Sequence, residues 1–149
     1  MRDRSLFNDD WLFSPQQLAL DSPDTLFTRV TLPHSNKLFP LHNFDNADYQ
    51  FISTYRKRFE YSKETSDQLV FLEFDGVMLA CEIYLNGQFL AKHLGGFSPF
   101  SVDLTAGLRE GENEIVLYVD STERKDIPPY GHLVDYLTFG GIYRDVHLL

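Results

Sequence analysis

From Phe51 to Tyr61 the sequence FISTYRKRFEY puts Phe51, Tyr55, Phe59 and Tyr61 on one side of an extended backbone and Thr54, Arg56, Arg58 and Glu60 on the other. Side chains alternate faces in a strand and not in a helix, so this period of two predicts a β-strand with one buried and one wet face. Similar short runs recur along the chain. Leu26 to Leu32 (LFTRVTL) reads as a strand closed by Pro33, and Leu69 to Phe74 (LVFLEF) is more continuously apolar, as a central strand should be. Pro99 to Leu104, Glu114 to Val119 (EIVLYV) and Ile142 to Leu148 (IYRDVHL) add three more. Within Ala80 to Leu90 (ACEIYLNGQFL), Asn86-Gly87 separates two apolar-rich runs. Both residues tolerate positive φ, which a type I′ hairpin turn requires. Leu104 to Gly111 is at most a short helical turn.

Seven or eight short strands without a helix above two turns predict an all-β domain, a sandwich or a barrel. The length of 149 residues suits one such domain, and no interior linker divides it. Residues 1–25 read as an irregular arm that lays Trp11 and Phe13 on the core. Residues 33–50 form a loop rich in Asn, His, Asp and Pro, and a loop of that length is uncommon unless it serves a function.

Charge and composition narrow the function. The formal net charge is -9, and an acidic surface repels phosphate backbones, so nucleic acid is not an expected partner. The densest basic run, Arg56-Lys57-Arg58, alternates faces in a strand and reads as a solvated edge or face. Cys81 is the single cysteine and sits in a strand-like run, where it reads as a small core residue. One cysteine permits no intrachain disulfide, which fits a reducing compartment. The first residues lead into Asp9-Asp10-Trp11 rather than an apolar leader, and no stretch is long enough to span a membrane. The expected location is therefore cytoplasmic.

Catalytic signatures are sparse. The chain has 22 acidic residues, but none stands in a pattern that singles out a catalytic pair. Asp9-Asp10 and Glu110 with Glu112 lie in turn-like sequence and read as solvated. The five His (34, 42, 93, 132, 147) show no zinc spacing, Gly95-Gly96 lacks the Gly-Lys-Ser/Thr of a phosphate loop, and no Gly-x-Ser-x-Gly elbow occurs. Arg144-Asp145 reads as a structural pair. Gly140 and Gly141 mark a bulge or a close backbone approach. Phe97, Pro99 and Phe100 read as core residues rather than a sugar-stacking platform.

Three groups of segments carry a resemblance. They are Leu32-Pro33-His34 with Tyr55-Arg56-Lys57-Arg58-Phe59; Phe74-Asp75-Gly76-Val77 with Tyr84-Leu85-Asn86-Gly87, Gly95-Gly96-Phe97-Ser98-Pro99-Phe100 and Asp103-Leu104-Thr105; and Pro128-Pro129-Tyr130-Gly131 with Asp135-Tyr136 and Gly140-Gly141-Ile142-Tyr143-Arg144-Asp145-Val146. In this order and spacing the chain, over about residues 10–149, resembles the amino-terminal sugar-binding domain of family 2 glycoside hydrolases, which include β-galactosidases, β-glucuronidases and β-mannosidases. The resemblance implies a jelly-roll β-sandwich of galactose-binding-domain type. It further implies an immunoglobulin-like domain and a barrel with two catalytic glutamates downstream. The signatures of that barrel are missing here, so the expectation is an excised domain or truncated product that does not turn over substrate by itself.

The resemblance also assigns roles. Asp135, six residues before Gly141, matches an aspartate that in β-galactosidase members reaches into the barrel's active site, where it contacts sugar hydroxyls and a bound monovalent cation such as sodium. A carboxylate suits both tasks because it accepts two hydrogen bonds and is a hard oxygen ligand. Asp135 is expected at the domain surface, with Tyr136 or Phe139 exposed beside it. Asn43 and Asn46 match the region where some members present an asparagine to the sugar; Asx-turn chemistry is the structural alternative. Tyr-Leu-Thr-Phe follows Asp135 where a typical β-galactosidase has tryptophan two positions on, which leaves the sugar open. The leading expectation is an accessory wall of a β-galactosidase-like active site that acts on carbohydrate through the parent barrel and helps a homo-oligomer form. The alternatives are an autonomous carbohydrate-binding module using Tyr130, Tyr136 or Phe139, and an assembly domain without sugar contact.

Overall fold

The structure, a computed structural model, describes residues 3–38, 45–64, 67–128, 130 and 139–149, with the backbone alone at residues 46 and 49. Among these residues ten strands follow in order: β1 (Ser5–Leu6), β2 (Trp11–Ser14), β3 (Thr28–Val30), β4 (Ile52–Tyr61), β5 (Phe71–Phe74), β6 (Ala80–Leu85), β7 (Gln88–Leu94), β8 (Phe100–Asp103), β9 (Gly111–Asp120) and β10 (Val146–Leu148). Two 3₁₀ turns, Asp24–Leu26 and Asn46–Tyr49, are the only helical pieces among the described residues. One sheet has the order β1-β10-β5-β8 and the other β3-β2-β4-β9-β6-β7. All pairings are antiparallel. The expected jelly-roll β-sandwich is the fold observed.

Apolar side chains of both inner faces meet between the sheets. Leu72 and Phe74 from β5, Ile83 from β6, and Ile115, Leu117 and Val119 from β9 are fully buried, as are Ile142 and Val146 near the end of the chain. Each such side chain contributes on the order of 1.5–3 kcal/mol by leaving water. Cys81 belongs to this core, as expected. Burial pushes its thiol up to about 12. Phe100 is a packing residue, stacked between Phe74 and His93, whereas Phe97 and Pro99, expected in the core with it, are exposed because they lie in the bend before β8.

β4 departs from the sequence reading. Its second face was expected to be wet, and Arg56-Lys57 solvated, yet Thr54 and Arg56 are fully buried and Lys57 nearly so. The cause is the segment expected to be an irregular arm. Part of that segment is β1 and β2, and residues 16–24 then fold across the outer face of β4. Thr54 Oγ1 donates to Gln16 O (2.7 Å) and accepts from Leu18 N (3.0 Å). The Arg56 guanidinium donates to Leu20 O (2.8 Å), Ser22 O (2.7 Å) and Asp24 Oδ1 (3.0 Å), and lies over the Phe27 ring. Lys57 points the other way, donates to Asp9 O and sits over the Phe7 ring. These cations trade water for fixed carbonyls and ring faces, which is how a buried charge is tolerated. Arg58 alone of the three stays exposed, paired with Asp24 and Glu114.

The hairpin joining β6 and β7 forms as expected, with φ of 50° at Asn86 and 81° at Gly87. Asn86 adds more than turn geometry. Its amide nitrogen donates to Gly107 O (3.1 Å) and Asn113 Oδ1 (2.8 Å), while its Oδ1 accepts from Glu114 N (2.9 Å). One end of the sandwich is thereby closed by side chains a few residues from their turns.

Candidate functional site

The opposite end of β6 and β9 carries the candidate site. Two long segments depart there, residues 37–51 and residues 122–139, and the described parts of both are tied at their feet. His34 N donates to Ile142 O (2.8 Å) and Asn36 N donates to Gly140 O (2.9 Å). Gly141 in turn exchanges two backbone bonds with Met78, at 3.0 and 3.1 Å. A short three-ply ladder of residues 34–36, 140–142 and 78 thus seats both segments on one rim.

Glycine is what allows three backbones to approach so closely. A Cβ at Gly140 would stand 2.2 Å from Asn36 Nδ2 and 2.3 Å from Ser121 Oγ. At Gly141, with φ of 107°, it would stand 2.6 Å from the Tyr55 hydroxyl and 2.8 Å from the His34 carbonyl oxygen. The close backbone approach expected at this pair is what the structure has. Ser121 completes the floor by donating to Met78 O (3.0 Å).

Beneath the ladder lies an aromatic and imidazole cluster. His34 Nδ1 is 2.8 Å from the Tyr55 hydroxyl, and the Phe13 ring packs against both. Burial holds the His34 imidazole below its usual range and pushes the Tyr55 phenol upward. At neutral pH the phenol keeps its proton and His34 stays neutral. The two neutral groups share one hydrogen bond, in which the imidazole tautomer sets which of them donates. Sequence reasoning missed this pair, because His34 and Tyr55 are 21 residues apart and neither stands in a metal or catalytic motif.

The nominated sugar contacts fall as follows. Asn46 opens the 3₁₀ turn Asn46–Tyr49, preceded by Asp45, whose side chain accepts from Ala47 N (2.9 Å). Lys37 and Asp48 pair across this segment at 3.5 Å. Asx-turn chemistry is therefore present beside Asn46, carried by Asp45. Asn43, Asp135 and Tyr136 lie outside the described residues. Phe139, on the foot of the second segment, is 43% exposed, in line with the exposure expected of Tyr136 or Phe139, and Tyr130 is 54% exposed.

Other groups of chemical interest are structural. Asn8 Nδ2 donates to Asp145 Oδ1 (2.8 Å), and Arg144 lies over the Tyr143 ring, so Arg144 and Asp145 both serve the fold as expected, each through its own partner rather than as a pair. Glu110 accepts from Ser62 and from Lys63 N. Glu73, Asp75 and His147 converge on the four-stranded sheet with spacing that would admit a metal ion. The Arg4 guanidinium already lies among them, 2.7 Å from Glu73 and 3.0 Å from His147 Nδ1, so the cluster is an internal ion pair.

Residues 14–149 match the family described as glycosyl hydrolases family 2, sugar binding domain. The chain is 46% identical over 153 residues to a β-galactosidase of Thermoanaerobacter pseudethanolicus, covering 99% of this chain and 21% of that protein. It is 33% identical over 152 residues to a β-glucuronidase of Bacteroides fragilis, with 99% and 21% covered. Among solved structures, Bacteroides uniformis β-glucuronidase superposes with a TM-score of 0.83 at 26% identity, over 99% of this chain and 18% of that one. The chain therefore spans about a fifth of the length of the curated relatives it matches.

Proposed function

We propose, from the premise that this chain belongs to glycosyl hydrolase family 2 as its sugar-binding domain, that it forms one wall of the active site of a β-galactosidase-like enzyme. The observation that carries this reading is the tied rim. Residues 34–36 and 140–142 are bonded side by side, so the segment bearing Asn43 and Asn46 and the segment bearing Asp135 leave the domain from adjacent points. Separate loops that leave a rigid rim together can place their side chains on one ligand.

In this reading Asp135 accepts hydrogen bonds from sugar hydroxyls and offers an oxygen to a monovalent cation, and Asn43 or Asn46 adds an amide from the facing segment. The glutamates that act on the glycosidic bond belong to a partner barrel, because hydrolysis needs two carboxylates across the scissile bond and no acidic residue of this sequence stands in a pattern that singles out such a pair. Substrate is a neutral β-galactoside, and the rim also contributes to oligomer contacts. Phe139, at the foot of the second segment, and Tyr130 are both exposed, which supports a surface that meets another domain.

The test is kinetic. In the complete enzyme, Asp135→Asn retains the fold and lowers kcat/KM by roughly tenfold to a thousandfold, the loss of charge-assisted hydrogen bonds in the transition state. An Asn variant as active as the parent would remove Asp135 from the site. The isolated chain is expected to give no nitrophenyl galactoside turnover above a buffer blank.

A further inference from the structure

The outer face of the six-stranded sheet carries a feature that the rim does not use. Residues 16–24 cover β4 but leave β6, β7 and the end of β9 open. Between the arm and these strands lies a cleft of about 100 Å³, bordered by Gln17, Glu82, Lys92, Tyr118, Asp120 and Arg124. Asp120 turns outward to this cleft, while the next residue, Ser121, turns inward to Met78 and the feet of the rim. Cleft and rim therefore lie on opposite sides of one strand end.

Three properties of the lining narrow what it takes. First, Tyr118 is held in place: its hydroxyl donates to Leu18 O (2.6 Å) and its ring meets Tyr84 edge-on at 5.6 Å. Tyr84 meets Phe89 in the same way at 5.7 Å, so an aromatic row crosses the sheet toward the cleft. Second, the charges balance, with Glu82 and Asp120 against Lys92 and Arg124. Each cation already has a carboxylate, Lys92 with Glu82 at 3.9 Å and Arg124 with Asp126 at 2.9 Å. An anion gains little from cations already answered. Third, the lining offers donors and acceptors together, Gln17, Lys92 and Arg124 beside Glu82 and Asp120, and hydroxyl groups can pair with both.

We propose that this cleft is a second carbohydrate site, taking one neutral hexose unit against the Tyr118 ring. The inference rests on the reading of the chain as a sugar-binding domain and is independent of Asp135. Its volume equals the share of roughly three waters, well below the ~300 Å³ at which ligand pockets begin, so it holds one edge of a ring rather than enclosing it. Affinity is accordingly in the millimolar range.

Amide chemical shifts of the isotope-labelled chain, followed during titration with lactose and separately with sodium glucuronate, test the site. Lactose is expected to move Glu82, Lys92, Tyr118 and Arg124 with saturation, and glucuronate to bind no better. Tyr118→Ala and Lys92→Ala each weaken the lactose response by about fivefold or more. Should Tyr118→Ala fail to fold, Gln17→Ala serves in its place, since that side chain borders the cleft without belonging to a strand. Absence of any shift at these residues, shifts confined to residues 34–36 and 139–142, or tighter binding of glucuronate would each overturn the assignment. So would self-association that quenches the lactose response, because a second copy would then occupy the cleft. The reading of the rim is judged separately, by the kinetics of Asp135→Asn in the complete enzyme.

Discussion

The two ends of strands β6 and β9 are built by opposite means. At the hairpin end, Asn86 and Gly87 make a local turn, and one asparagine side chain bonds the neighbouring loops. At the rim end, residues 34–36, 78 and 140–142 come from three distant parts of the chain and touch only because two glycines lack a Cβ. Local closure leaves a blunt, self-contained edge. Long-range closure ties down the feet of two segments whose remaining length is left for other work.

Glycine replacement separates the two ends most sharply. Gly141→Val should cost about 3 kcal/mol or more, because it adds strain at a φ of 107° to a clash with backbone and with the Tyr55 hydroxyl. A midpoint in urea within about a tenth of the parent's would mean that the ladder yields easily, and the contrast would collapse. Asn86→Ala, at the other end, removes three hydrogen bonds and places alanine at a φ of 50°; about 2 kcal/mol is expected from the same denaturation measurement. Gly87→Val should cost only about 1 kcal/mol. Its φ is 81°, but nothing lies within 4 Å of the added carbon, so backbone strain acts without a clash. An unchanged melting temperature for Gly87→Val would show that the turn relaxes to another type.

Acid gives the smallest effect. The folded state holds His34 below its usual range, so that state binds fewer protons there than the unfolded chain does. The stability from neutral His34 is thus fully present above about pH 6.5, the value of an unperturbed imidazole, and is lost as pH falls through the lowered folded value. Burial lowers His93 as well, so His34 is not the sole source of the parent's decline. Comparing melting temperatures of His34→Gln and parent between neutral and mildly acid pH isolates the rim. Identical slopes for the two proteins would assign the acid response elsewhere.

Residues differ in how far their surroundings can be read from sequence. Asn86-Gly87 was legible because a turn is written in adjacent residues. The alternation in Phe51 to Tyr61 gave β4 its element type and placed Tyr55 on a buried face. It misled at Thr54 and Arg56, because period two reports which side a residue takes and not what covers that side. The cover comes from residues 16–24, through bonds spanning 34 to 38 positions to carbonyl groups that carry no side-chain signal. Gly140 and Gly141 signalled a close approach but not the approaching partners, and the His34–Tyr55 bond had no signature at all. The order of the motifs was therefore a better guide to the family than any one residue was to the site.

Cys81 gives the domain a clock. As the one thiol in the chain, shut within the core and pushed up to about 12, it stays unreactive toward alkylating reagents while the sandwich is closed. Each labelling event then reports an opening wide enough to expose β6. With excess reagent the modification rate reads the frequency of such openings, and with scarce reagent it reads their population. β6 spans both ends of the sandwich, so one sulfur atom records which end lets go more often when glycine or asparagine is replaced at either.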